Sequence, residues 1–169
     1  MEILDTLKQL INGELAAAIQ YKIAAKSLVG TGNFAYIQSH CAEHSEEEFD
    51  HYQLLVAALM QRGGSADLTI QASVNDALPA TEELESADVN YIKSFFARAE
   101  DNAIKAYVAF HEEIKDNDPG LDDIILGIIE DEREHKLDFT RVDESRPTLE
   151  SFKQKQRANK VLREMLAKK

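Results

Sequence analysis

The four residues 48-EFDH-51 lie inside a run with helical periodicity, and 132-EREH-135 lies inside another, 84 positions further along the chain. In both, a glutamate stands three positions before a histidine, so the two side chains share one face of a helix. A Glu-x-x-His pair also arises by chance in a chain this rich in glutamate. The rest of the sequence therefore has to show whether the two pairs belong to one site.

The composition is that of one helical domain with a substantial core. The chain has 169 residues, of which 44% are hydrophobic and 30% charged. No apolar run approaches the roughly 20 residues that span a bilayer, and the N-terminus MEILDTLKQL lacks the basic and apolar blocks of a secretory signal. The single cysteine, Cys41, excludes an intramolecular disulfide and a four-cysteine metal site. These features predict a cytoplasmic protein with no membrane partner.

The charge is strongly negative but unevenly distributed. The net charge is −12, whereas residues 151–169 carry seven Lys or Arg and one Glu. An acidic body repels nucleic acid and attracts cations. The sequence therefore predicts metal ions, and no nucleic acid, as partners.

Glycine and proline cluster at a few points, which indicates an all-α chain with four long helices. We predict these helices over about residues 3–28, 33–62, 88–116 and 119–143. Gly63 and Gly64 end the second helix, and Asp118 followed by Pro119 is an N-cap that starts the fourth.

The connections between the helices predict the topology. Two turns are short, and one connection, between the second and third helices, runs over about residues 65–86. This is the connectivity of a ferritin-like four-helix bundle with one long crossover. Beyond Pro147 we predict a short, basic fifth helix, so that residues 1–146 form the bundle and residues 147–169 an appended element.

The first and third helices each add a glutamate to the two Glu-x-x-His pairs. Glu14 and Glu100 lie in apolar stripes, and each is followed seven residues later by a tyrosine, Tyr21 or Tyr107. Seven residues are two helical turns, so glutamate and tyrosine share a face. The chain therefore reads as two half-repeats with Glu-to-Glu spacings of 34 and 32 residues, which place these groups at one depth of the bundle.

Four glutamates facing one another in an apolar interior need compensating charge. A carboxylate among Leu7, Ile11 and Ala18 is too costly to remain ionised alone. Two divalent cations balance four carboxylates when both imidazoles are neutral, and one Glu from each of two helices plus Glu-x-x-His from the others is the di-iron or di-manganese pattern. The ligand types suit Fe and Mn alike. The predicted metal ligands are Glu14, Glu48, His51, Glu100, Glu132 and His135.

The segments NGELAAAIQY, EEEFDH, RAEDNAIKAY and EDEREH resemble the bacterioferritin branch of the ferritin-like superfamily, over about residues 3–143. The resemblance implies a ferroxidase centre in each subunit and oxidation of Fe(II) by oxygen or hydrogen peroxide. It also implies a hollow homo-oligomeric shell that stores ferric mineral.

The resemblance also implies roles for individual residues. Glu48 and Glu132 would bridge the two metals. Glu14 with His51 would complete the shell of one metal, and Glu100 with His135 that of the other. Tyr21 resembles the family's tyrosine near the centre, which makes it the candidate catalytic residue as an electron donor.

The chain departs from related families at defined points. Phe49 stands where bacterioferritins have their haem-binding methionine, so haem is not expected. The DNA-protecting ferritins of starved cells place their site between subunits with different ligands, which this chain does not match. Rubrerythrins carry a rubredoxin-like module that needs cysteines absent from this chain.

Several residues near the motifs allow two interpretations. His44 is either an extra metal ligand or iron relay, or a hydrogen-bonded interior histidine, which is favoured because its counterpart in the second half-repeat is Ile128. Glu47 and Asp131 either hold the ligand histidines from outside or are surface acids. Cys41 is expected to be a core residue.

The leading function is ferroxidase activity with iron storage. One alternative is a di-iron or di-manganese peroxidase or catalase of the rubrerythrin-like kind that stores no mineral. The other is a bundle that docks to an acidic partner, a shell or a membrane surface through residues 148–169.

Overall fold

The computed structural model describes residues 3–28, 33–65 and 89–141, and these residues form four α-helices with no strand among them. The helices are α1 Ile3–Ser27, α2 Asn33–Gln61, α3 Val89–Ile114 and α4 Pro119–Thr140. The predicted all-α arrangement of four long helices is confirmed, with helix ends within about three residues of those expected. The crossover, the boundary at residue 146 and the fifth helix lie outside the described residues.

The end of α2 follows the predicted glycine signal. Gly63 adopts φ +77°, a left-handed conformation that favours glycine. The amide of Gly64 donates to the carbonyl of Leu59 and that of Gly63 to the carbonyl of Met60, each at 3.0 Å. This pair of bonds is a Schellman motif, which satisfies carbonyl groups that the helix end would leave unpaired.

The start of α4 confirms the predicted N-cap and also ties α4 to α2. The Asp118 carboxylate accepts a 3.1 Å hydrogen bond from the amide of Leu121, with Pro119 in the first turn. Arg62, just beyond α2, donates to both carboxylate oxygens of Asp118, at 2.5 and 2.7 Å. This ion pair links the end of α2 to the start of α4.

Helix α1 packs chiefly against α2, and α3 chiefly against α4, so the bundle consists of two helical hairpins. Its apolar core is divided into two clusters, named here for Leu7 and Tyr21. The Leu7 cluster comprises Leu7, Leu10, Ile11, Leu55, Ala58, Leu59, Tyr107, Phe110, Ile114, Leu121, Ile125, Ile128 and Ile129. The Tyr21 cluster comprises Tyr21, Ala24, Ala25, Leu28, Ile37, Cys41, Ile92, Phe96 and Phe139. Along every helix, polar buried residues separate the two clusters.

Within the part of the chain that the structure describes, no helix is both long enough and apolar enough to cross a bilayer.

Candidate metal centre

The structure brings all six predicted metal-ligand residues together between the two apolar clusters. Each helix contributes from the same depth: α1 and α3 one glutamate each, α2 and α4 one Glu-x-x-His pair each. None of the six exposes more than 4% of its surface. Buried acids are rare unless they are paired or bind metal, so this density of buried carboxyl groups marks a site.

The six residues form two overlapping groups that share Glu48 and Glu132. In one group the shared pair joins Glu14 and His51, and in the other it joins Glu100 and His135. Within each group the candidate ligand atoms lie within 4.8 Å of one another. Two neighbouring cations held by this arrangement would share two carboxylates.

Both histidines turn the same ring nitrogen towards the carboxylates. Nδ1 of His51 lies 3.3 Å from Glu14 Oε2 and 3.4 Å from Glu48 Oε2. Nδ1 of His135 lies 3.2 Å from Glu48 Oε1 and 3.8 Å from Glu132 Oε2. Five of the atoms that face inward have no hydrogen-bond partner among the described residues: Glu14 Oε2, Glu48 Oε2, Glu132 Oε2, His51 Nδ1 and His135 Nδ1. Buried polar atoms are costly to leave unpaired, and metal ions fit as their missing partners.

The outer nitrogens of the two histidines contact acids that belong to the opposite helix. His51 of α2 places Nε2 3.1 Å from Asp131 of α4, and His135 of α4 places Nε2 3.0 Å from Glu47 of α2. A carboxylate at the outer nitrogen fixes the tautomer that leaves Nδ1 free to bind a metal. The sequence allowed these acids to be either partners of the histidines or surface acids. Both are more than half exposed, and both contact a histidine.

Burial and the close contacts within the centre shift the pKa values of its glutamates and histidines. Burial raises the pKa of Glu14 and of Glu100 well above the usual range. Burial alone would also raise the pKa of Glu48, but the imidazoles of His135 and His51, 3.2 and 3.4 Å away, outweigh it and hold that pKa well below its usual range. Burial would lower the pKa of His51, but contacts with Glu14 and Glu48 raise it to about 11. The glutamates similarly raise the pKa of His135.

The two tyrosines of the half-repeats differ in their contacts. The Tyr107 hydroxyl donates a hydrogen bond to Glu14 Oε1. Tyr21, the candidate electron donor of the resemblance, stacks against Phe96 and Phe139. The centroid of its ring lies 4.8 Å from that of Phe96 and 5.9 Å from that of Phe139. Its hydroxyl has no hydrogen-bond partner in the described ranges. Tyr107 is therefore the residue that sequence reasoning left without a role, although its spacing from Glu100 matched that of Tyr21 from Glu14.

A cavity of about 630 Å³ opens between α1 and α3 and reaches the buried glutamates. Its wall includes Ala16 and Ala17 on α1 and Ala103 on α3, with Glu14 and Glu100 among the polar lining groups. Because alanine side chains are short, the two helices leave space that larger side chains would fill. The cavity connects the centre with the face of the bundle formed by α1 and α3.

Two neighbouring residues also have definite positions. His44 is buried, and its Nδ1 lies 3.1 Å from Glu47 Oε2, which agrees with the predicted hydrogen-bonded interior histidine. Cys41 is fully buried in the Tyr21 cluster, as expected of a core residue. Burial raises the pKa of its thiol, so the sulfur stays protonated.

Two solved structures share this fold at low sequence identity. The bacterioferritin-related protein from Bacteroides fragilis, described as a dodecameric thioferritin, is 22% identical and has a TM-score of 0.68, with 83% of each chain covered. A C-terminal deletion mutant of Mycobacterium smegmatis Dps is 14% identical with a TM-score of 0.70, over 82% of this chain and 96% of that one. These likenesses concern the fold.

Sequence comparison identifies the family. No protein of curated function is a significant sequence match to this chain. The profile of the ferritin family, described as a ferritin-like domain, matches residues 4–145, which include the four helices except Ile3 and all six clustered residues. This protein therefore belongs to the ferritin-like family.

Proposed function

We propose that this protein is a ferroxidase that oxidises Fe(II) at a di-iron centre within each subunit and stores the ferric product in a homo-oligomeric shell. The observation that carries the proposal is the pair of overlapping ligand groups that share Glu48 and Glu132. Two iron ions held side by side can react together with one oxidant molecule.

In this proposal iron is the substrate, and the electrons balance over two ions. Each Fe(II) gives up one electron, and the pair reduces hydrogen peroxide with two protons to water, or oxygen with two protons to hydrogen peroxide. The chain's own residues bind and orient the substrate. Glu48 and Glu132 lie between the two positions, while Asp131 and Glu47 hold His51 and His135 with their inner nitrogens facing the carboxylates. This balance takes no electron from Tyr21, whose role as an electron donor stays a prediction of the resemblance.

The centre is open to small substrates such as Fe(II), oxygen and hydrogen peroxide. The cavity between α1 and α3 reaches Glu14 and Glu100 and provides a path for iron and for the oxidant. The net charge of −12 attracts cations to the protein surface. A metal ion that enters must displace the protons that Glu14 and Glu100 hold because their pKa values are raised.

The shell and the cellular setting belong to the same proposal. The dodecameric relative from Bacteroides fragilis supports a homo-oligomer, and the family supports iron as the metal, with manganese as the alternative that the ligand types also suit. Phe49 stands where the resemblance places a haem-binding methionine, and its ring has no atom that can bind haem iron, which supports a cage without haem. The cytoplasm is the compartment that the sequence predicts.

The direct test is the rate of Fe(II) oxidation in a Glu48→Ala variant. Because Glu48 lies in both ligand groups, its loss should abolish the rapid phase in stopped-flow absorbance while the protein stays helical. Glu134→Ala is the matched control, because it removes an exposed glutamate from α4 and should oxidise iron like the parent. Parent-like kinetics in Glu48→Ala would refute the site.

A second measurement separates storage from peroxidase activity. Size-exclusion mass combined with iron content per subunit should show a large assembly that holds many irons per subunit. A small oligomer that turns over peroxide and retains only two metal ions per subunit would favour the non-storing peroxidase instead.

A further inference from the structure

A second group of histidine and carboxylate side chains lies beside the di-iron centre. Asp138 of α4 places Oδ2 3.1 Å from Nδ1 of His40 and 3.6 Å from Nε2 of His44. The three ligand atoms lie within 4.8 Å of one another. None of them belongs to either of the two groups that share Glu48 and Glu132.

The separations suit a bound cation. Two ligands at about 2.0–2.1 Å from a tetrahedral ion stand about 3.3 Å apart, which falls between the two observed distances. His40 and His44 are four residues apart on one face of α2, a spacing at which two helical histidines bind a single zinc ion in other proteins. The side chains of both histidines are more than nine-tenths buried.

Glu47 determines which nitrogen of His44 is available. Its Oε2 lies 3.1 Å from Nδ1 of His44, so that nitrogen is the donor and Nε2 keeps its lone pair. Nε2 of His44 is buried, points at Asp138 and has no hydrogen-bond partner among the residues that the structure describes. The same carboxylate oxygen holds His135 at 3.0 Å. One acid thus orients two imidazoles, one towards the di-iron centre and one towards Asp138.

We propose that His40, His44 and Asp138 form a third, mononuclear site that binds one divalent transition-metal ion of the Zn²⁺ or Fe²⁺ class. Two imidazoles and a carboxylate form a ligand set that binds such ions in preference to Mg²⁺ or Ca²⁺. Glu43 Oε2 lies 3.7 Å from His40 Nδ1 and, with half of its side chain exposed, is placed to supply a fourth ligand. The two carboxylates then balance the charge of the ion.

The site breaks the symmetry of the two half-repeats. The counterpart of His44 on α4 is Ile128, which packs in the Leu7 cluster, so the second hairpin has no equivalent imidazole. Packing alone would be served by an apolar residue, as it is on α4. The additional histidine therefore gives this side of the centre a ligand that the symmetric arrangement does not need.

Metal binding to the full-length, metal-free protein tests the site. Under anaerobic equilibrium dialysis against Zn²⁺ or Co²⁺, Asp138→Asn and His40→Gln should each hold one cation per subunit fewer than the parent. Glu134→Gln is the control, because it removes one negative charge from an exposed position on the same helix and should hold the parent number. Equal binding by the parent and the two site variants, or an equal loss in the control, would overturn the proposal.

Anomalous diffraction provides a second readout that needs no variant. Crystals of the parent protein with bound Zn²⁺ should show a peak about 2.0–2.2 Å from His40 Nδ1, His44 Nε2 and an Asp138 oxygen. The absence of that peak at saturating zinc would exclude the site even where a variant fails to fold. Neither measurement uses iron oxidation, so both outcomes are independent of the ferroxidase proposal.

Discussion

Binding of two metal ions to the proposed di-iron centre should release at least two protons per subunit at neutral pH. In the metal-free protein, Glu14 and Glu48 raise the pKa of His51 to about 11, and Glu132, Glu47 and Glu48 raise the pKa of His135, so we expect both rings to hold a second proton at pH 7. A histidine that binds a metal must lose that proton from the coordinating nitrogen. The raised pKa values of Glu14 and Glu100 add further protons that metal must displace.

The charge of the site limits the number of protons that metal binding can release. Four carboxylates with neutral imidazoles carry −4, which four protons or two divalent cations neutralise, so loading two cations releases between two and four protons. Each released proton changes the binding constant about tenfold per pH unit, or about 1.4 kcal/mol. From pH 7 to pH 6, the product of the two affinities should therefore fall between about 10² and 10⁴-fold.

Isothermal titration calorimetry with Zn²⁺ measures this release directly. Titrations at pH 7 in two buffers of different ionisation enthalpy give the protons released per subunit, and an Asp138→Asn background removes the proposed third site from the count. Glu134→Gln should release the same number as the protein it derives from, because its carboxylate is exposed. Fewer than two protons for two bound cations, or tighter binding at pH 6 than at pH 7, would refute the reasoning.

Three further predictions concern stability and haem. Bound Zn²⁺ should raise the melting temperature more at pH 7 than near pH 5, because protons compete for the ligands in acid; at a hundred times Kd the gain is about 2.7 kcal/mol, and a larger gain in acid would contradict this. Tyr107→Phe should lower the melting temperature of the metal-free protein by the equivalent of about 1–3 kcal/mol, because Glu14 loses a buried donor. Tyr21→Phe should not, because it removes an unpaired hydroxyl, and equal losses in the two variants would refute the distinction. Purified protein should show no stoichiometric haem, since Phe49 replaces the methionine, and a strong Soret band with bis-methionine ligation would disprove it.

Most of the fold and of the candidate site could be predicted from helical periodicity. Residues three or four apart must share a helix face, so the Glu-x-x-His pairs and the apolar stripes around Glu14 and Glu100 determined which side chains point inward. The spacings of 34 and 32 residues then placed all four helices in register. Gly63 and Asp118 gave the helix ends because their backbone requirements are local.

Side-chain contacts between the two hairpins could not be predicted from the sequence pattern. Glu47 pairs with His135, 88 positions away, and Asp138 lies beside His40 and His44 from another helix, so no local spacing encodes either contact. Tyr21 and Tyr107 stand at the same distance after their glutamates, yet of the two only Tyr107 donates a hydrogen bond to one of the six clustered residues. The Tyr21 ring is instead stacked between Phe96 and Phe139, a contact between helices that the local spacing does not encode.

The crosswise contacts of Glu47 and Asp131 mean that neither hairpin is self-sufficient. The first hairpin contains His51 but obtains the acid that orients it from the second, and the second obtains the partner of His135 from the first. Under the proposed function, tight metal binding therefore requires both hairpins to be docked in register, and a half-formed bundle should bind metal weakly.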